Sequence, residues 1–230
     1  MTTQDVIRVH LAEQVVAGKR LGRHIHHDPR SRAYPARQAS EIVSVKHDSA
    51  GLPLNQREHT CSTAHALCGA LGASPGLAGG TLLDEASALR IYETATSLEH
   101  EPDRSDEHGS SGLMACKAAQ QLGLISSYEH AFGIGHALKA LVLRPVMTGI
   151  KWYTSFDRPD PETGLVELTS DATVRGGHEI LADEIDADRR LVWFSNSWGT
   201  QFGRHGRFSM TFDTWAQLLQ DQGDVTVPVT

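Results

Sequence analysis

The sequence predicts an α+β protein of two lobes, a helical one first and an antiparallel β one after it. Three observations carry this. Small and apolar side chains recur at helical spacing between residues 61 and 122. Between 144 and 212 the apolar period shortens to the alternation of a strand. A length of 230 residues with 40% hydrophobic content is enough to bury a sizeable core.

Residues 1–50 read as irregular, with a basic, His-rich patch in which Pro29 and Pro35 favour loop or edge structure. The first helix is expected over 61–73, where small residues permit close packing; Thr60 is the expected N-cap, and the run GASPGLAGG ends it. A second helix fits 83–98, with Ala86, Leu89, Ile91 and Tyr92 near one face. The polar stretch 100–112 reads as a loop, and a third helix over 113–122 stops at Gly123. In the second half, Val146, Thr148, Ile150 and Trp152 alternate with Met147, Gly149, Lys151 and Tyr153. Residues 178–185 and 189–198 read as two strands joined by an Asp186-Ala187-Asp188 turn. A last strand over 206–212 puts Phe208, Met210 and Phe212 on one face.

Composition excludes several classes. There are 21 basic against 28 acidic residues and no dense Lys/Arg run, which argues against nucleic-acid binding. No stretch approaches the roughly 20 apolar residues of a membrane span. The first residues lack a basic segment followed by an apolar core, so no secretory signal is expected. Three cysteines without paired CxxC spacing give neither a disulfide framework nor structural zinc. The expectation is a cytoplasmic protein without cofactor or metal.

The chemistry concentrates in Gly176-Gly177-His178-Glu179 and in Ser195-Asn196-Ser197-Trp198-Gly199-Thr200, which continues as Gln201-Phe202-Gly203-Arg204-His205-Gly206-Arg207-Phe208. A His opening one strand and an Asn ending the next become neighbours across a hairpin. The Asn oxygen can then accept from one imidazole nitrogen, fix the tautomer and aim the other nitrogen at a nucleophile. Trp198 could cover that bond and keep water off it.

These motifs closely resemble the C-terminal lobe of papain-like cysteine peptidases, in which the His is general base and acid and the Asn orients it. The resemblance implies a papain-like two-lobe fold, with a helical N-terminal lobe and an antiparallel, β-barrel-like C-terminal lobe. It divides the chain into an extension or leader over 1–50 and a peptidase domain over 51–230, the helical lobe about 51–135 and the β lobe about 136–230. The family carries an oxyanion-hole Gln six residues before the nucleophile. Gln56 fits, and Thr63-Ala64-His65-Ala66 matches the run that follows. The nucleophile's position is therefore Ser62, with Cys61 one residue early. A one-residue slip would make Cys61 the nucleophile, but both flanks fit position 62 without a gap.

Gly109-Ser110-Ser111-Gly112-Leu113-Met114 takes the place of the Gly-rich turn lining one wall of the cleft. Gly112, Leu113, Met114, Gly177 and Trp198 are the implied substrate contacts, with Leu113 and Met114 forming an apolar specificity pocket. The chain resembles compact bacterial, actinobacterial and phage-type members, in host cytoplasm or virion if phage-encoded. Fewer than sixty residues precede Gln56, too few for a long inhibitory propeptide.

The implied function is peptide-bond hydrolysis through a thioacyl-enzyme of Cys/His/Asn type, with Ser62 making this chain an inactive form. The alternative is a non-catalytic papain-fold protein that binds a peptide or protein in the cleft. A serine hydrolase using Ser62 and His178 is a third, weaker reading. Other features take plainer readings. His24, His26, His27 and Asp28 lack a second ligand pair and read as a solvated loop. Asp183, Glu184, Asp186 and Asp188 lack the calcium-loop pattern. Cys68 and Cys116 read as small core residues, and Glu179, on the strand face opposite His178, receives no role.

Overall fold

The computed structural model describes residues 5–51, 53–73, 82–99 and 109–230. The linkers expected at 72–80 and 100–112 lie mostly outside these residues. Helix α1 (Ser62–Leu71) begins one residue later than expected, with Cys61 rather than Thr60 at the N-cap. The Thr60 hydroxyl meets Tyr92 Oη instead, at 2.9 Å. Helix α2 (Glu85–Leu98) is capped by Asp84, and α3 (Gly112–Gln121) by Ser111, whose hydroxyl accepts from Met114 N–H. The three helices enclose one core, with Leu67, Ile91 and Cys116 fully buried at its centre.

Strands β1 (Ile7–Val9) and β2 (Ile25–His27) pair antiparallel near the N-terminus, so this stretch is more ordered than expected. The other strands are β3 (Val45–Lys46), β4 (Ser127–His130), β5 (Val146–Tyr153), β6 (Val174–Asp186), β7 (Leu191–Ser195), β8 (Arg207–Thr211) and β9 (Asp224–Val229). They form one antiparallel sheet in the order β4-β9-β5-β6-β7-β8, with β3 paired to β6.

The sheet is open, which corrects the expected barrel-like closure. Its end strands β4 and β8 are four and five residues long, and the chain turns from each into a helix instead of pairing onward. After β4 comes α4 (Gly133–Leu143); after β8 comes α5 (Phe212–Gln220). Phe212, expected in a strand, therefore starts a helix, because Thr211 caps it by accepting from Thr214 N–H.

The second core lies between this sheet and α4 and α5. Trp152 on β5 sits at its centre, edge-on to Phe156, Phe208 and Trp198. Helix α1 crosses the other side of β5 and β6, so Met147 and Leu181 join the helical core. Both faces of β6 are thereby buried, with consequences for Glu179 below. Ser111→Ala removes the α3 cap and is expected to lower stability by about 1 kcal/mol, read from the denaturant midpoint.

Candidate active site

The hairpin β6–β7 brings His178 and Asn196 together. His178 Nε2 lies 2.8 Å from Asn196 Oδ1. The same oxygen accepts from Ser197 N–H at 2.7 Å, which fixes the amide's orientation, so Nε2–H of His178 is the donor. Nδ1 has no protein partner and is left to act. Trp198 stacks on the imidazole with centroids 4.9 Å apart and planes at 22°, while Trp152 meets it edge-on at 5.0 Å. The Trp198 indole is itself fixed by donating to the Arg20 carbonyl at 2.9 Å. His178 is wholly buried, and burial pulls its pKa down to about 3; the Asn196 bond opposes this, and Arg175 and His65 add to it.

Ser62 is the first residue of α1 and is fully buried. Its Oγ accepts from the Glu179 N–H at 3.3 Å, so it faces the strand that carries His178. Cys61 lies elsewhere. Its Sγ sits 3.4 Å from His65 Nδ1 within the helical core, and burial pushes its thiol up to about 12. A thiol so held is a poor nucleophile.

Gln56 is joined to the β lobe by its N–H, which donates to the Ser197 carbonyl at 2.8 Å, and by its Oε1, which accepts from Ser197 Oγ at 2.5 Å. Its Nε2 donates to the His59 carbonyl at 2.7 Å and to the Leu21 carbonyl at 2.9 Å. The amide read as an oxyanion donor thus already holds a peptide carbonyl of this chain.

That carbonyl belongs to a strap, residues 20–24, running through the cleft between the two walls. Gly22 N–H and Arg23 N–H both donate to the Gly177 carbonyl, at 3.1 and 2.9 Å. On the other wall, Ser110 N–H donates to the Gly22 carbonyl at 2.8 Å and His24 N–H to the Ser110 carbonyl at 2.6 Å. The Arg23–Ser110 bridge is parallel. Gly22 has φ +112, and a Cβ there would collide with the Thr60 carbonyl, so only glycine passes this point. The cleft is thus filled by residues 20–24 of the chain itself.

The implied contact residues divide. Gly177 holds the strap, Trp198 covers the imidazole, and Gly112 lies beside the Glu179 carboxylate. Leu113 lines a cavity of about 620 Å³ beyond the strap, with His26 and Asp224. Met114 does not join it: one helical step further on, it turns into the helical core, which corrects its assignment to a pocket. Nor is the pocket beside the strap apolar. It holds Glu179, which sequence reasoning passed over, and Arg23.

The His-rich segment is engaged in packing. His24 stacks on His10, His26 Nδ1 lies 3.3 Å from Ser111 Oγ, and Asp28 pairs with Arg30. Among the described residues no group of three or more His, Cys, Asp or Glu side chains could hold a metal ion. Asp183 and Glu184 instead pair with Arg207 at 2.5 and 2.9 Å. No helix among the described residues is long and apolar enough to cross a membrane.

No protein-family model matches the chain, and no curated protein matches it in sequence. Solved structures do match its fold. Xylellain, a cysteine protease from Xylella fastidiosa, superposes with a TM-score of 0.69 at 18% identity, over 94% of this chain and 99% of that one. Digestive procathepsin L 3 of Tenebrio molitor larval midgut gives 0.63 at 14%, over 85% and 73%. The bromelain protease from Ananas comosus, in complex with the E64 inhibitor, gives 0.55 at 13%, over 79% and 94%. The fold is papain-like.

Proposed function

We propose that the cleft is a cysteine-peptidase site of the papain type in which Ser62 stands in the nucleophile's place, so that this chain binds a peptide without hydrolysing it. The observation that carries this reading is the His178–Asn196 bond at 2.8 Å, on the strand whose Glu179 N–H reaches Ser62 Oγ. With a thiol at 62, the start of α1 and the imidazole together favour a thiolate. It would attack a peptide carbonyl while Gln56 Nε2–H and the N–H of residue 62 hold the oxyanion. Collapse of the adduct breaks the C–N bond, His178 gives its proton to the leaving amine, and a thioester remains. Water then loses a proton to His178, attacks the thioester and releases the acid and the thiol.

A Ser hydroxyl is too weak an acid to store as an anion beside an imidazole. It would need His178 to take its proton during attack, as in serine hydrolases. The second reading, a native peptide-binding cleft, is favoured by one observation: a stretch of chain lies in the cleft with its Leu21 carbonyl on Gln56.

The test uses the full chain and its Ser62→Cys variant, each with and without Gly22→Ala, a substitution that the Thr60 carbonyl rejects and that loosens the strap. All four are treated with a peptide-epoxide label, mapped by mass spectrometry, and assayed on peptides. Labelling at position 62 only in the Ser62→Cys chains, together with cleavage, is the expected result. Labelling of Cys61 in the unmodified chain would overturn the register. No labelling and no cleavage in any of the four would leave the binding module.

A further inference from the structure

Arg23 carries its guanidinium into a buried space beside the cleft, where its side chain has no solvent exposure. There Nη2 donates to the Gln222 carbonyl at 2.8 Å and pairs with the Asp224 carboxylate. Glu179, 1% exposed, points into the same space: a Cβ built on Gly149 would meet Arg23 Nε and lie 2.9 Å from Glu179 Oε2. One built on Gly112 would lie 2.7 Å from Glu179 Oε1. Two glycines thus give the pocket its width, and two acidic side chains give it its charge.

The fit of Arg23 is incomplete. Its Nε and Nη1 have no partner, and neither oxygen of Glu179 receives a hydrogen bond. A buried carboxylate without donors is expensive, and a structural one would be paired. A planar guanidinium is the group that satisfies two carboxylate oxygens at once. Asp224 holds one edge of Arg23, and Glu179 is left facing the same cation with no bond.

From this arrangement we propose that Glu179 and Asp224 make the cleft selective for peptides carrying an Arg, or secondarily a Lys, two residues from the carbonyl held by Gln56, and that Arg23 is the chain's own imperfect stand-in for that side chain. The spacing is the strap's own: the Leu21 carbonyl is on the Gln56 amide while Arg23 fills the pocket. The proposal rests on the reading of the cleft as a peptide site. A substrate bringing its guanidinium in as a fork would satisfy Glu179 where Arg23 does not.

Two measurements test it, one independent of turnover. In the first, the full chain with Arg23→Ala is titrated calorimetrically with N-acetyl-arginine methylamide and N-acetyl-leucine methylamide. The arginine compound is expected to bind at least about tenfold tighter, close to 1.4 kcal/mol, and Glu179→Gln is expected to abolish the difference. Equal binding of the two, or a preference that survives both Glu179→Gln and Asp224→Asn, overturns the proposal.

In the second, the Ser62→Cys, Gly22→Ala chain is given a mixed peptide library. Cleaved sequences are expected to be enriched several-fold in Arg or Lys two residues from the cleaved bond, and Glu179→Gln to remove the enrichment. Should Arg23→Ala fail to fold, this arm decides. Cleavage without enrichment overturns the pocket and leaves the peptidase reading standing. Arginine-selective binding without cleavage does the reverse.

Discussion

In the Ser62→Cys chain, replacing His178 by Ala is expected to lower kcat/KM by about 10²–10⁴-fold. On the proposed reading the imidazole takes the thiol proton and returns it to the leaving amine. A structural role alone would slow turnover by loosening the pocket between Trp152 and Trp198, so a second readout separates the cases. Without His178 the thiol at 62 loses its partner cation, and the pH at which epoxide labelling reaches half its maximum should move toward about 8.5. Unchanged labelling with unchanged turnover would remove His178 from the mechanism. Asn196→Ala is expected to cost less, since Asn196 only orients the ring through Nε2.

Acid is expected to destabilise the strapped protein well above the carboxylate range. Burial lowers the pKa of His178 to about 3 and that of His26 to about 4, and it lowers those of His65 and His130 as well. Below the ordinary value of 6.5 the unfolded chain takes up protons that the folded chain refuses. Stability is therefore fully present above pH 6.5 and falls as pH drops towards the folded values. At pH 4.5 the wholly buried His178 contributes a loss of up to about 3 kcal/mol, and the partly solvent-screened His26 less. Glu179 and Asp183 act in the opposite sense, because burial raises their pKa values and the fold gains protons with them as pH falls. The net expectation is a loss of a few kcal/mol between pH 6.5 and 4.5, measured as the urea midpoint at each pH. A midpoint constant over that window would contradict this net expectation.

The readable parts of this site were those written in side chains at fixed spacing. His178 lies on β6 and Asn196 directly follows the adjacent antiparallel β7, so a local hairpin was enough to join them. Gln56 and Ser62 lie on one loop and the helix it enters. Two things escaped. Glu179 was passed over because strand alternation puts it opposite His178, and the opposite face of a strand is commonly solvent or plain core; here that face looks into a pocket between the lobes. The strap escaped because backbone groups hold it, through the Gly177 and Ser110 carbonyls, and a backbone bond leaves little trace in residue type. The helices α4 and α5 were missed for a third reason. A short apolar run such as 133–143 does not announce helix or strand by period alone, and Phe212 continued the alternation of β8 until the Thr211 cap ended it.

Because the strap is covalently attached, the cleft is never offered to a visitor on equal terms. A competing peptide faces a rival at an effective concentration set by the tether, on the order of millimolar for a short flexible connection. If the cleft is free of the strap about 1% of the time, every added ligand reads about 100-fold weaker than its intrinsic affinity. Weak titrations on the intact chain would then measure the rival as much as the ligand. Cutting the chain at the Ala17–Gly18 turn would leave residues 20–24 attached on the β2 side, so this handicap should persist after such a nick.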